Sequence, residues 1–319
     1  MSDLAEPLPG VQPAVHRHRA LGYTLYLIGA CMFALNGTVS KTIMLTGVPA
    51  ARLSELRITG AFVILLVFVA ITRPRTLRIA RHEWGKLIVY GVLGVAMTQF
   101  LYFYALQYLN VGVALLIEFT APIMVALWFR FGKHQPVRKT VWLALVIAIT
   151  GMALVVQIWQ GLSLDALGVT AAFGAAVALA IYYVMGEDLV AGARPRDAVS
   201  LTMWGFGFGA LFWAIVQPWW SFPWDLFIGA SKPLAGTGPQ IPLWFLVLWM
   251  VVLGTVVPFW LVVSAMKHIT ASQASTIGMA EPLIAILIAW ALLGEVLTPV
   301  QWIGAFVVLG GVYLAERSR

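Results

Sequence analysis

Ten stretches of about 20 residues, nearly free of charge, run along this chain at roughly 21–45, 53–72, 86–108, 111–130, 139–158, 166–185, 198–217, 243–266, 271–293 and 299–315. A helix of about 20 apolar residues matches the thickness of a bilayer's hydrocarbon core. Inside lipid only helices and closed barrels satisfy their own backbone groups. Barrel strands would read as segments of about 10 residues alternating apolar and polar, whereas these runs are continuous and rich in Ala, Leu and Gly. The pattern therefore predicts an all-α membrane protein with ten transmembrane helices. Composition agrees, with 61% hydrophobic and 10% charged residues, against about 45–50% and about 25% in soluble domains.

The formal net charge of +7 does not point to nucleic acid, because of where the charge lies. Basic residues gather between the runs, at Arg17 and Arg19, at Arg73, Arg75, Arg78, Arg81 and Lys86, at Arg130, Lys133, Arg138 and Lys139, at Arg194 and Arg196, at Lys267, and at Arg317 and Arg319. All of these fall on one side of a ten-helix chain. The positive-inside rule then puts both termini in the cytoplasm of a bacterial-type inner membrane. The first run is too long for a removable signal peptide and is expected to stay. The single Cys31 excludes an intrachain disulfide and is expected to pack as a small hydrophobe. No P-loop, no metal-ligand spacing and no nucleophile–base pairing occurs. Neither a cofactor, a metal nor an enzymatic activity is therefore expected.

A constant offset of 160 relates the two halves without a gap: Ala105/Ala265, Ala114/Ala274, Ile117/Ile277, Pro122/Pro282, Leu127/Leu287, Trp142/Trp302, Gly151/Gly311 and Leu154/Leu314. Five duplicated helices are an odd number, so the second copy must cross the membrane in the opposite sense. Loop charge follows: basic "RFGKHQPVRK" after run four has the counterpart "LLGEVLTP", without Lys or Arg, while neutral "QYLNVG" corresponds to "KHITAS" with Lys267 and His268. The expected organisation is a cytoplasmic tail at 1–20 and two inverted five-helix repeats at 21–158 and 166–316, around a central cavity of the kind secondary transporters use.

The segments "AEPLIAILIAWALLGEVLTPVQWIGAFVVLGGVYL" and "LNVGVALLIEFTAPIMVAL" resemble the EamA family of the drug/metabolite transporter superfamily over nearly the whole chain. The second is similar to the fourth helix of threonine/homoserine exporters within it. The resemblance implies a ten-helix transporter exporting a small amphipathic metabolite such as an amino acid, with drug efflux as the alternative and a membrane sensor on the same fold as a remoter one. Its implied partners are a small-molecule substrate, the bilayer and, in proton antiport, protons; oligomeric state is left open.

Charged groups at helix centres cost about 2.5–3.5 kcal/mol on insertion scales and therefore face cavities or partners. Glu118 and Glu281 are such groups, and each stands beside a helix-opening proline, Pro122 and Pro282. An acid with a proline reads as a cavity wall with a hinge; a kinked helix whose acid pairs with a neighbouring Arg or Lys is the alternative. Tyr90, Gly94, Thr98 and Tyr102 recur every fourth residue with Gln99 beside them, and Trp260, Ser264 and His268 follow Pro258. Asn36 and Ser40 share a face of the first run. Asn36, Gln99, Tyr102, Glu118, Trp260, Ser264 and Glu281 are thus the candidate substrate-binding residues. Lys41, Glu55 and Arg57 read as an outer ion-pair cluster, Gly205 and Gly209 as a packing pair, and Trp219, Trp220 and Trp224 as an interfacial belt. Thr298 to Gln301 reads as a capped helix start with Glu295 nearby at the interface.

Overall fold

A computed structural model of the protein describes residues 18–317 apart from 45, 106, 110, 160–164, 218, 223, 225–230, 234–239, 285–286 and 288–297. Its helices are α1 (Arg19–Met44), α2 (Ala50–Thr72), α3 (Trp84–Ala105), α4 (Val111–Glu118), α5 (Ala121–Leu127), α6 (Lys139–Val156), α7 (Ala166–Ala191), α8 (Ala198–Val216), α9 (Leu243–Ala265), α10 (Ala271–Gly278) and α11 (Pro299–Arg317). Among the described residues, eight helical segments are long and apolar enough to cross a membrane, α4 and α5 together counting as one, and Pro299–Ala315 is a shorter apolar helix. The protein is an all-α membrane protein. The ninth expected run is described as α10 and a further turn at 281–284; its remainder, like Glu295 and the tail at 1–17, lies outside the described residues.

Polar side chains cap the starts of four helices. Asp165 accepts hydrogen bonds from Leu167 N and Gly168 N ahead of α7, and Asp197 does the same for Val199 N and Ser200 N ahead of α8. Thr270 with Gln273, and Thr298 with Gln301, form reciprocal capping boxes. The second of these was expected from the sequence. A short antiparallel ribbon, β1 (Ser231–Pro233) with β2 (Gln240–Pro242), precedes α9.

Packing is close where residues are small. α6 lies along α11, α2 along α8, α3 along α7 and α1 along α9. Gly205 and Gly209 let α8 approach α3: a Cβ on Gly205 would meet the Tyr90 ring at 2.8 Å, and one on Gly209 would meet Gly91 O at 3.4 Å. Among the described residues three spans carry π-type turns, at Tyr90–Ala96 in α3, at Trp128–Gly132 after α5 and at Val252–Val256 in α9. The regular ladder is also interrupted after Glu118 and after Gly278, where short i→i+3 bonds replace it: Thr120 N to Ile117 O at 3.0 Å, and Met279 N to Thr276 O at 3.1 Å. The π-type turns of α3 and α9, and the breaks after Glu118 and Gly278, correspond at the 160-residue offset.

Three basic segments meet at one end of the molecule. Arg73 pairs with Asp197 at 2.8 Å, Lys86 with Asp188 at 2.7 Å and Arg196 with Glu83 at 2.9 Å. Arg196 also donates to Thr76 O, Arg78 O and Ser200 Oγ, and the rings of His18 and His268 lie 6.3 Å apart. Burial alone would raise the Glu83 carboxyl, but the Ala80 N–H, the Arg196 guanidinium and His82 hold it below its ordinary value. Its stabilising charge is thus complete at neutral pH and is lost only as pH falls below the ordinary carboxylate range, about 4. Replacing Arg196 by Ala removes these bonds, leaving Glu83 without its ion pair and Arg78 O without this donor, while Thr76 O keeps the Ser200 hydroxyl. We predict a loss of about 2–3 kcal/mol, seen as a lower Tm in detergent; an unchanged Tm would show the lattice to be ornamental.

Two expectations change at the opposite end. Glu55 is fully buried and pairs with Arg52 at 2.7 Å, and Arg52 in turn donates to Ser221 Oγ. Arg57 does not join an outer ion-pair cluster. It turns inward to α9, donating to Thr255 Oγ1 and to Gly254 O, the carbonyl that Pro258 leaves without its i+4 donor. Cys31 is exposed on α1 rather than packed. Trp219, Phe222 and Trp224 stack on one another, and Trp220 is 89% exposed.

Candidate functional site

The interrupted helices carry the acids. Glu118 closes α4 and is 8% exposed, and half-buried Glu281 begins the turn that follows the break after α10. Proline has no N–H to give the carbonyl four residues back, so the carbonyls of Glu118 and Gly278 lose their ordinary partners where Pro122 and Pro282 stand. α5 packs against α10, bringing the two breaks together. Among the described residues neither acid makes a hydrogen bond or an ion pair. The expected alternative of an acid salt-bridged by a neighbouring base is therefore absent from the described contacts.

Around this pair the groups converge electrostatically. Glu118 and Glu281 lie within reach of one another and of the Tyr102 and Tyr183 hydroxyls, Glu281 also of Tyr26 and Arg57. The Tyr26 and Tyr183 hydroxyls hydrogen-bond to each other. They sit directly over the α10 break, where a Cβ on Gly278 would come within 2.6 Å of Tyr26 Oη and 2.9 Å of Tyr183 Oη. Tyr183 stacks edge-on against Tyr182, which lies flat against Tyr90 at 5.5 Å. Gly94 lets α3 close on the Tyr182 backbone, with a Cβ contact of 3.1 Å. The periodic face Tyr90–Gly94 is thus a packing face, while Tyr102 lies where the charges of both acids act on it.

Gln99 is 7% exposed and both ends of its amide lack a partner. A buried unsatisfied amide costs about 1–3 kcal/mol, so this group is poised for a ligand or water. Asn36 has a defined structural partner, donating Nδ2 to Gly254 O at 3.1 Å. Ser264 is half-buried near the end of α9. Trp260 is 40% exposed, and its neighbour Phe259 is the inward aromatic of that helix, against Phe33, Tyr182 and Phe206 at 5.0–5.7 Å. The structure thus brings Tyr102, Glu118 and Glu281 together and leaves Trp260 apart from them. Tyr26, Tyr183 and Phe259 were not singled out by the sequence. Nothing in their local sequence marks them apart from other aromatic residues of these helices; nearby, the Tyr23 hydroxyl accepts from Gln273 Nε2 at 2.9 Å. Two surface grooves, one at Pro74, Arg75 and Arg78 and one between Arg196, Asp197 and Lys267, lie at the basic end, away from these residues.

The comparisons with known proteins agree with this architecture. The threonine/homoserine exporter RhtA of Escherichia coli K12 is 28% identical over 257 residues, covering 79% of this chain and 77% of its own. The uncharacterized transporter YwfM of Bacillus subtilis is 27% identical over 304 residues, covering 93% and 95%. A solved crystal structure superposes with a TM-score of 0.69 at 20% identity, covering 92% of this chain and 97% of its own, which supports the fold. The model of the EamA-like transporter family matches residues 20–157 and 166–316. With both halves of the chain matched in this way, the protein belongs to the EamA-like transporter family and is a membrane transporter of the drug/metabolite type.

Proposed function

We propose that the protein is a ten-helix secondary transporter that exports a small amphipathic metabolite such as an amino acid, by proton antiport, from a site between two inverted repeats. The observation that carries this reading is the pair of unmatched carboxylates, Glu118 and Glu281, set at equivalent helix breaks that pack together. Packing supports the two-fold relation: taken by their order within each half, α6 with α11 and α2 with α8 are self-related pairs, and α1 with α9 maps onto α7 with α3. The relative RhtA is named as an amino-acid exporter, which favours that cargo over a drug. The basic end, where residues 73–86, 188–197 and 267–268 meet, is the cytoplasmic end by the positive-inside rule, and α1 starts from it. An unpaired carboxylate in low dielectric needs a proton or a cation as its counterpart. Exchanging one for the other couples ammonium movement to proton movement.

Proteoliposomes loaded with a labelled panel of amino acids and drug-like cations, with and without a pH gradient, test the reading. Amino-acid flux that follows the gradient supports it; flux of cationic drugs alone would make the protein a drug exporter. The breaks let the repeats rock about the site. We therefore predict that Pro122→Ala and Pro282→Ala, which restore the missing backbone donor, slow turnover more than they weaken substrate binding. Unchanged turnover in both variants would reduce the prolines to packing features.

A further inference from the structure

Arg57 stands about 10 Å into α2 at 1.5 Å per residue and is 7% exposed. Its Nε donates to Thr255 Oγ1 at 2.6 Å and its Nη2 to Gly254 O at 3.0 Å. Those bonds serve the π-type turn of α9, where the Thr255 hydroxyl donates its own hydrogen bond to Met250 O at 2.8 Å. Gly254 O already receives Asn36, so a neutral donor would meet the needs of this turn. A guanidinium has five N–H donors, and among the described residues two are engaged. No carboxylate among the described residues lies within ion-pair distance of it. A buried cation at membrane depth without a counter-charge is costly and marks a functional position. The acid whose charge it feels is Glu281, itself unmatched. Arg57 and Glu281 thus act on each other's charge without forming an ion pair among the described residues.

We infer that Arg57 is the carboxylate-binding residue of the transport site, so that the cargo is a zwitterion held by its ammonium at Glu118 and Glu281 and by its carboxylate at Arg57. This rests on the amino-acid reading above and makes it specific. The planar fork of Arg matches a carboxylate in two hydrogen bonds, which a lysine at the same place would not reproduce.

The test compares wild-type protein with Arg57→Gln and Arg57→Lys, using binding of L-threonine and of 1-aminopropan-2-ol, the same skeleton without the carboxylate. The wild type should bind threonine at least about tenfold more tightly than the amine. Arg57→Gln should keep its affinity for the amine and lose that preference. A variant that retains the preference, or that loses both probes equally, overturns the inference, as does a wild type that binds the amine as tightly as threonine. If Arg57→Gln fails to fold, Arg57→Lys decides: reduced preference with amine binding unchanged supports the assignment, and unchanged preference refutes it. Failure of both variants to purify as monodisperse protein would assign Arg57 a structural role instead. A wild type that binds neither probe removes the amino-acid reading itself, a separate failure from that of Arg57.

Discussion

Glu118→Gln will fold and insert normally but lose transport and its dependence on a pH gradient. Gln keeps the shape of the side chain and removes the charge. Since Glu118 makes no hydrogen bond or ion pair among the described residues, no structural contact is broken, and folding should be unaffected. What disappears is the group that alternates between a proton and the cargo's ammonium. A charge-assisted hydrogen bond contributes about 1.5–3 kcal/mol, so its loss should weaken cargo binding by about 10- to 100-fold. Coupling should vanish rather than decline, because an amide does not titrate. Flux into proteoliposomes measured from about pH 5 to pH 8 gives the answer: a variant that transports like the parent across that range removes Glu118 from the cycle. Glu281→Gln is the companion measurement. If only Glu281→Gln abolishes the pH dependence, the proton is carried there, and Glu118 serves the cargo alone.

The second large effect is structural, at the contact between α6 and α11. A Cβ on Gly151 would stand 2.5 Å from Val308 N and 2.9 Å from Gly304 O; one on Gly304 would stand 2.7 Å from Val155 N, and one on Gly311 2.7 Å from Ala148 N. All of these are backbone atoms of the facing helix, so no side-chain rotation relieves the clash. Lipid offers no hydrophobic drive between helices, and close backbone approach is what holds them. In an exposed helix Gly→Ala would gain about 1 kcal/mol of propensity. Here overpacking of about 1–3 kcal/mol outweighs that gain, and a bulkier residue must separate the helices. Gly151→Ala should lower Tm, and Gly151→Leu should reduce the yield of monodisperse protein severely. Gly310, one residue from Gly311, meets nothing within 4 Å, so Gly310→Ala is the matched control and should be neutral or stabilising. Equal behaviour of Gly151→Ala and Gly310→Ala would show that the contact contributes little.

Much of this molecule was legible before any coordinates. The apolar runs announced membrane helices because lipid imposes one dominant requirement, satisfied backbone over about 30 Å. The pairing of acid with proline at Glu118/Pro122 and Glu281/Pro282 announced where helices would break, since the missing N–H of proline is a covalent fact independent of context. The Thr298 capping box and the Gly205/Gly209 packing pair were readable for the same reason: each depends on residues a few positions apart.

Side-chain direction within an apolar helix was a different matter. Trp260 and Phe259 are adjacent and equally apolar, and nothing in their order distinguishes the residue facing Tyr182 from the one left exposed. In water the polar face of a helix marks the outside; in lipid both faces are apolar, so periodicity loses its sign. Arg57 shows the consequence most clearly. Its charge and its position near a helix start suggested an outer ion pair with Glu55, yet Arg52 takes Glu55 and Arg57 turns to Gly254 and Thr255. The π-type turn that draws it in belongs to a helix almost 200 residues away. The sequence by itself determined the helices, their breaks, their small-residue contacts and the presence of two intramembrane acids, because these follow from local covalent chemistry and the demands of lipid. Only the tertiary structure decided which buried groups share one space, Tyr26 with Tyr183 and Arg57 with the freed carbonyl of Gly254, because that depends on how distant helices rotate to satisfy polar groups that water cannot reach.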